Sequence, residues 1–336
     1  MKRKFLMFVV VLTLAATSCG GGNSSRGAVA ARPLAYSLSG DVALDYRVDM
    51  DMRMTTTFDA SFAAMDPAAP SKMDMSMEMG FDSHYKVIPG DEPGAYRVSL
   101  SFDNLEFGKG SLDMGSESFD FSDLPQRELD TVLESQIAEV SYLINEHGEI
   151  LSMDVGGQTI DVSGILSGTN AGAVNTGQMF GPELPDGVVK VGDSWTTSSE
   201  EQLPGMDPIV VEQTHTIIRR EAHNGYDTWV ITSESTTGAF TITWDDLLRL
   251  AEELGGLGEI GVDESMPPAF QMSMRSSPTG ATMITWFEPE LGLAVAQDVT
   301  TNLAMTMEMA GLPNTGGRAI TMRMDGYTHT AMELIP

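Results

Sequence analysis

The chain has 336 residues, is 42% hydrophobic and 20% charged, and carries a formal net charge of -29. This acidity disfavours binding to nucleic acid, or to an anionic membrane, through a basic surface, and we expect no nucleic-acid partner. The single cysteine excludes an internal disulfide framework and any zinc site built from several cysteines.

The first 18 residues have the pattern of a secretory signal peptide. Three positive residues, Lys2, Arg3 and Lys4, precede an apolar stretch from Phe5 to Leu14. A bilayer-spanning helix needs about 20 apolar residues, so this shorter stretch favours a signal peptide over a transmembrane helix. The segment ends at the only cysteine of the chain, Cys19.

The residues before Cys19 resemble a known processing signal. Ala16-Thr17-Ser18-Cys19 is similar to the lipobox of bacterial lipoproteins. The resemblance implies cleavage before Cys19, acylation by chains such as palmitate, and an anchor in the cell membrane or envelope that leaves the protein facing outside the cytoplasm. The alternative is an ordinary signal peptide with an unmodified cysteine. We predict a signal peptide at 1–18 and a lipidated, Gly- and Ser-rich tether at 19–35.

An alternation with a period of two dominates the chain from Tyr36 onward. Between Val42 and Met54 the even-numbered side chains are apolar and the odd-numbered ones are mostly charged, which is typical of a half-buried antiparallel strand. Residues 73–79 repeat this pattern. Further strands are predicted at 83–88, 95–107, 137–144 and 149–155, and then near 209–221, 226–236, 238–243, 269–276, 280–287, 292–309 and 318–330.

The same patterns predict few helices. One begins near Ser122, a short one lies near 161–167, and one runs from Trp244 to about Leu254. We divide the body into an N-terminal β half at 36–155, a connector at 156–187 and a C-terminal β half at 188–336. The hairpin sequences at 143–150 and 286–293 share a pattern that suggests duplication. The predicted fold class is mainly β (α+β): curved antiparallel sheets, half-barrel-like and duplicated, with two or three short helices.

This arrangement resembles the half-barrel lipoproteins of the LolA and LppX/LprG type, in which a curved antiparallel sheet and helices enclose an apolar cavity. Separately, residues 189–195 (VKVGDSW) are similar to a segment of uncharacterised β-rich bacterial lipoproteins. Either resemblance implies a binding or carrier protein and not an enzyme.

One short segment invites a catalytic interpretation. Gly192-Asp193-Ser194 resembles the first block of the GDSL hydrolases, whose serine is a nucleophile served by a histidine base. The later blocks of that family do not follow, since the nearest match, Asp325 to His329, has one residue too many. The antiparallel period also differs from the βαβ pattern of those enzymes. We therefore interpret 192–194 as a turn entering a strand, with Trp195 in the core.

The other titratable residues suggest no chemistry. The five histidines are scattered, without a pair at metal-ligand spacing. His215 is predicted to be a solvent-facing strand residue. With 48 acidic residues, no pair of carboxylates stands out. We predict no enzymatic activity, no catalytic residue, no metal site and no cofactor.

The 24 methionines are the unusual feature of the composition. Many recur at alternate positions, so they form rows on single strand faces with neighbours about 6.6 Å apart. Strands favour valine and isoleucine, so a sequence that only packed a rigid core would seldom use methionine this often. Three interpretations stay open: an ordinary apolar sheet face, a deformable cavity wall for acyl chains, and a Cu(I) site made of thioethers.

The leading hypothesis is a membrane-anchored, non-catalytic binder or carrier of an apolar ligand such as lipid. The alternative is a structural or interaction lipoprotein of the envelope with a solid core and no ligand. Met272 and Met274 form one short row. The candidate wall of a ligand cavity consists of the longer rows and one further pair: Met50, Met52, Met54, Met73, Met75, Met77, Met79, Met305, Met307, Met309, Met322 and Met324.

Overall fold

The computed structural model describes most of the predicted body. The signal peptide, Cys19, the first part of the tether and the predicted helices near Ser122 and 161–167 lie outside the described residues. The described residues are 32–34, 42–59, 62, 70–91, 94–114, 118–120, 140–145, 150–155, 158–160, 181–185, 187–201, 209–246, 270–277, 279–311 and 318–335.

Strands account for nearly all of this structure. Those in the N-terminal part are β1 Arg32–Pro33, β2 Val42–Phe58, β3 Lys72–Pro89, β4 Ala95–Asp113, β5 Ser118–Asp120, β6 Val140–Asn145, β7 Ile150–Val155 and β8 Gln158–Ile160. Those in the C-terminal part are β9 Val188–Val189, β10 Ser194–Glu201, β11 Ile209–His223, β12 Tyr226–Thr237, β13 Phe240–Thr243, β14 Gln271–Ser276, β15 Thr279–Glu288, β16 Leu293–Ala310 and β17 Ile320–Leu334.

Fifteen of the strands form one open, curved antiparallel sheet, which confirms the predicted mainly β fold class. Its main path runs in the order β10-β11-β12-β15-β16-β17-β2-β3-β4-β6-β7-β8. The last strand of the chain, β17, pairs with β2 and so joins the C-terminal strands to the N-terminal ones. On this path, six strands come from each side of that junction.

The two hairpins that look alike in sequence also share an irregularity. The β6–β7 pair shifts register between Leu143 and Ile144, and the β15–β16 pair shifts register between Trp286 and Phe287. These bulges fall at corresponding positions of the two hairpin sequences. The duplication of the body and its division at 156–187 stay predictions.

Several element bounds differ from the sequence prediction. Segments 73–79 and 83–88 belong to the single strand β3, because β2 is long enough to pair with it throughout. Residues 32–34 were predicted to be tether, yet β1 pairs with β9 and Leu34 is buried in the core. This apolar side chain gains more from burial than the segment gains from remaining solvated.

The helix predicted from Trp244 is described only over its first three residues, 244–246, which are helical. Its start is a capping box. The Asp246 backbone N–H donates to the Thr243 hydroxyl, and the Thr243 backbone N–H donates to the Asp246 carboxylate at 2.8 Å. The remainder of this predicted helix lies outside the described residues.

The two faces of the sheet differ sharply in polarity. On β2, the side chains of Leu44, Tyr46 and Val48 are buried, whereas those of Asp45 and Asp49 are exposed. We call the face that carries the first set the inner face and the opposite one the outer face. The alternation predicted from the sequence therefore corresponds to a real division between core and surface.

The inner face carries two large hydrophobic clusters. The first, which we call the aromatic cluster, includes Tyr46, Trp229 and Phe287, and Leu34 and Leu184 pack into it from outside the large sheet. The Tyr46 hydroxyl donates a hydrogen bond of 2.8 Å to the Ala294 carbonyl, so it connects β2 to β16. The second cluster consists of methionines and is described below.

The outer face carries ion pairs instead of a core. Arg47 lies 3.3 Å from Asp82 and 2.8 Å from Glu106. His84 lies between Asp45 at 2.6 Å and Asp103 at 3.0 Å, and these two carboxylates, that of Asp45 foremost, raise its pKa. The acidic surface is thus organised around a few basic groups.

Candidate functional site

Methionines from β2 and β3 lie opposite each other on the inner face. The antiparallel register pairs Met50 with Met79, and the next two rungs of the ladder are likewise methionine against methionine. All six of these side chains are buried, with exposed fractions from 3% to 8%. The two rows that the sequence places on separate strands therefore form one block.

Methionines of β14, β16 and β17 extend this block across the sheet. Met305 pairs with Met324, and Met307 pairs with Met322 on one side and with Met274 on the other. The order of neighbours, β14-β16-β17-β2-β3, brings five rows together from distant parts of the chain. At a strand spacing of about 4.8 Å, they span about 19 Å.

We call the buried members of this cluster the methionine patch. It contains nine of the twelve candidate wall residues, together with Met274. Met309 and Met322 are partly buried and pack against it, whereas Met73 is half-buried at the end of its row, opposite Thr56. The patch comprises Met50, Met52, Met54, Met75, Met77, Met79, Met274, Met305, Met307 and Met324.

Sequence reasoning missed the aromatic margin of the patch. Phe81 and Phe107 are partly buried and pack against the methionines. Phe107 pairs with Met79 in the β3–β4 ladder, where the register shifts next to this pair. A strand was predicted over 95–107, but the register shifts that place Phe107 opposite Met79 leave no signal in the sequence.

Beyond β17, the inner face carries buried polar side chains among apolar ones such as Met283 and Ile231. Continuous register leads from Met52 to Thr328, from Thr328 to Thr301, and from there through Ala281 to Ser235. We call one set of polar side chains in this region, all buried except the half-buried Thr330, the polar band. It comprises His215, Ser233, Ser235, Thr285, Gln297, Thr301, Thr328 and Thr330.

His215 corrects one sequence expectation, since it is fully buried and does not face solvent. Its ring stacks on Trp195 with centroids 5.1 Å apart, Nδ1 lies 2.7 Å from the Ser233 hydroxyl, and Nε2 lies 3.2 Å from the Thr197 hydroxyl. Burial lowers the pKa of His215 from 6.5 to about 4. The imidazole is therefore neutral at pH 7 and adds no charge to the inner face.

The burial of His215 predicts a loss of stability in acid. Unfolding exposes a ring with a pKa near 6.5, so lowering the pH from that value to about 4 protonates the unfolded chain first. We expect this group to cost about 3 kcal/mol of unfolding free energy over that window. Urea unfolding at a series of pH values measures it, and His215→Gln removes this part of the dependence.

His84 is a suitable control, because its pKa is shifted in the opposite direction. Because its pKa is raised in the folded state, its contribution to stability is fully present below the unfolded pKa and is lost as pH rises through the folded pKa. His84→Gln therefore leaves the acid-side loss intact. If His215→Gln loses as much stability in acid as the wild type does, His215 is not a buried neutral imidazole.

Ser194 and the histidine of the neighbouring strand lie on opposite faces of the sheet. β10 begins at Ser194, whose hydroxyl lies 2.7 Å from that of Thr216 on the neighbouring strand. The histidine of this ladder, His215, pairs with Trp195 and therefore points to the opposite face. Asp193 accepts a hydrogen bond from the Lys190 backbone in the preceding turn. The turn and strand predicted for 192–195 are present, and Trp195 is half-buried and packs against the aromatic cluster.

The described residues present no group of three His, Cys, Asp or Glu side chains that could hold a metal ion. Within the same ranges, no helix has the length and apolar character needed to cross a membrane. An open depression of about 590 Å³ lies beside Arg53 to Thr55 of β2, and its lining also includes Met54 and Met75 of the methionine patch. Its polar lining includes Arg53, Asp74, Asp113, Asp325 and Tyr327.

No protein-family model matches this sequence, and no curated protein is similar to it. A lipovitellin structure on lipid–protein interactions aligns over 87% of this chain with 9% identity and a TM-score of 0.37. The alignment covers 25% of lipovitellin, so the chain spans about a quarter of that protein.

Two bacterial structures also align with this chain. OccK9 (OpdG) from Pseudomonas aeruginosa aligns over 87% of this chain and 98% of its own, with 7% identity and a TM-score of 0.21. An outer membrane channel from Pseudomonas putida F1 aligns over 94% of this chain and 100% of its own, with 8% identity and a TM-score of 0.18. At these scores, the likenesses carry no inference about function.

Proposed function

We propose that this protein is a membrane-anchored, extracytoplasmic lipoprotein that binds or carries an apolar ligand such as lipid, without catalysis. One observation carries the proposal: methionines from five strands gather on the inner face of the sheet, and neither β2 nor β17 has a charged side chain on that face. An acyl chain can lie on such a surface without leaving any charge desolvated.

The choice of methionine over valine or isoleucine supports a surface that changes shape. The unbranched thioether side chain has three rotatable bonds and repacks around ligands of different outline, whereas β-branched side chains hold one rotamer. Proteins that bind varied apolar partners use methionine for this reason. A patch about 19 Å wide offers room for an extended acyl chain across the strands.

Membrane attachment through Cys19 is the first part of the proposal to test. In cells fed labelled palmitate, we expect label in the wild-type protein and none in Cys19→Ala, because the thiol is the only one in the chain. Denaturing electrophoresis with autoradiography measures it. Label retained by Cys19→Ala contradicts the lipobox interpretation, and Ser18→Ala serves as the matched control.

Mass spectrometry of gently extracted protein tests the carrier. We expect bound lipid in the wild type, and at least a severalfold lower lipid content in Met52→Gln, since the amide adds polar groups at the centre of the patch. Arg53→Gln changes the neighbouring residue on the outer face and should leave the lipid content unchanged. Wild-type protein recovered without lipid, or equal lipid in both variants, contradicts the carrier.

A solid core without ligand is the second candidate, and one observation favours it. The methionines of the patch are only 3% to 8% exposed, which also fits side chains packed permanently against each other. Partners would then bind the acidic outer face. Under this alternative, replacing the patch methionines with leucine preserves or raises stability and changes nothing else, because the volume is conserved.

A further inference from the structure

Three hydroxyl groups of the polar band are buried without a hydrogen-bond partner within the described structure. They are Ser235 Oγ on β12, Thr285 Oγ1 on β15 and Thr330 Oγ1 on β17. Ser235 and Thr285 are 3% and 0% exposed as whole residues. Buried polar groups in proteins are nearly always satisfied, so three on one face indicate that something else bonds to them.

The positions of these hydroxyls connect them to the methionine patch. Thr330 pairs directly with Met50, so its hydroxyl lies at the border of the patch. Thr285 pairs with Gln297, and Ser235 pairs with Ala281, both on the same inner face. A ligand with its chain on the methionines would therefore place its other end along this band.

The chemistry of the band restricts what that end can be. The band contains hydroxyls, one amide and the neutral ring of His215, but no lysine, arginine or carboxylate. A buried carboxylate or phosphate needs an opposite charge or several donors to offset its desolvation, and an ammonium needs a carboxylate. Hydroxyl, ester and ether oxygens need only hydrogen-bond donors and acceptors of the kind present.

We propose that the ligand of this face is a neutral amphiphile, with its acyl chain on the methionine patch and its uncharged hydroxyl- or ester-bearing head on the polar band. This inference rests on the carrier function proposed above and narrows its ligand class. It assigns Ser235, Thr285 and Thr330 as head-group residues, a role distinct from that of the methionines.

The test compares two probes that share one chain and differ in the charge of the head. Radiolabelled monooleoylglycerol and radiolabelled oleate are each added to the full-length protein at pH 7, and the label that co-elutes with the protein is measured. We expect monooleoylglycerol to bind at least about tenfold more tightly, since one unpaired buried charge outweighs a hydrogen bond of 1.4 kcal/mol, which is a factor of ten.

Variants locate the head group. The triple change Ser235→Ala, Thr285→Val and Thr330→Val removes the hydroxyls at nearly constant shape, and we expect it to lower monooleoylglycerol affinity about tenfold while oleate binding stays as it was. Thr232→Val is the matched control on the outer face of β12, where the hydroxyl bonds to the Thr216 carbonyl. Circular dichroism confirms that each variant is folded.

The outcomes separate this inference from the carrier function. Two results would overturn the assignment of a neutral head group: equal affinities for the two probes, or a triple variant that binds monooleoylglycerol as the wild type does. The protein would then be an apolar carrier whose three hydroxyls bond only to water. Binding of neither probe overturns both proposals. A preference for monooleoylglycerol that Thr232→Val keeps and the triple variant loses supports the inference.

Discussion

Met52→Lys is expected to destabilise the protein by about 3–5 kcal/mol, because it places an unpaired charge in the middle of a charge-free face. Met52 is 3% exposed, and its neighbours across the ladder are Met77 and Thr328. None of these can accept a salt bridge. Chemical unfolding followed by circular dichroism measures the loss.

Asn302→Lys is the matched control, because Asn302 is exposed on the outer face of β16 and lies opposite the uncharged Tyr327. The same charge is added there at a cost within about 0.5 kcal/mol. Equal stability of the two variants would mean that the methionine patch is open to solvent, and the burial described here would be wrong.

Trp229→Ala is expected to cost about 3–5 kcal/mol, and to weaken both predicted halves of the body at once. Trp229 is fully buried on β12, yet its aromatic cluster also contains residues of β2 and β4 such as Tyr46 and Val98. Amide hydrogen exchange should therefore speed up in β2 as well as in β12. Tyr327→Ala, at an exposed aromatic residue, is the control with a small effect.

Faster exchange confined to β11, β12 and β15 would contradict this shared core. It would instead mean that the C-terminal strands form an independent unit. The measurement thus also tests the division of the body into halves, which the sequence predicts from its connector.

Local patterns predicted most of the strands, and long-range pairing accounts for what they missed. The alternation from Val42 to Met54 is a property of adjacent residues, so it predicts β2 and its buried face directly. Fusion of 73–79 with 83–88 into β3 depends on the length of β2, its neighbour. Such a dependence between distant segments leaves no mark within either one.

The methionine patch, too, could be predicted only in part from the sequence. Each row was visible in the sequence, but their meeting depends on the pairing of β17 with β2 and of β14 with β16. The prediction for His215 was wrong for a related reason, since its strand has no clearly apolar side in the sequence. Gln213 and His215 share the inner face with Ile217. Hydroxyl groups on β10 and β12 form hydrogen bonds with the two ring nitrogens, and these bonds offset the cost of burying them.

The repetition of methionine has a consequence for how β2 and β3 find each other. A slip of two residues would still oppose methionine to methionine, so the inner face barely distinguishes one alignment from the next. The outer face does distinguish them. A slip one way opposes Asp45 to Asp82 in place of His84, and a slip the other way opposes Asp49 to Asp82 in place of Gly80.

Steric fit adds to this discrimination at Gly80. A Cβ atom at this position would meet the Arg47 guanidinium, which lies over the glycine as it reaches Asp82 and Glu106. The charged side chains of the outer face therefore favour one alignment of the two strands. The methionine face can remain repetitive because the polar face on the other side specifies the pairing.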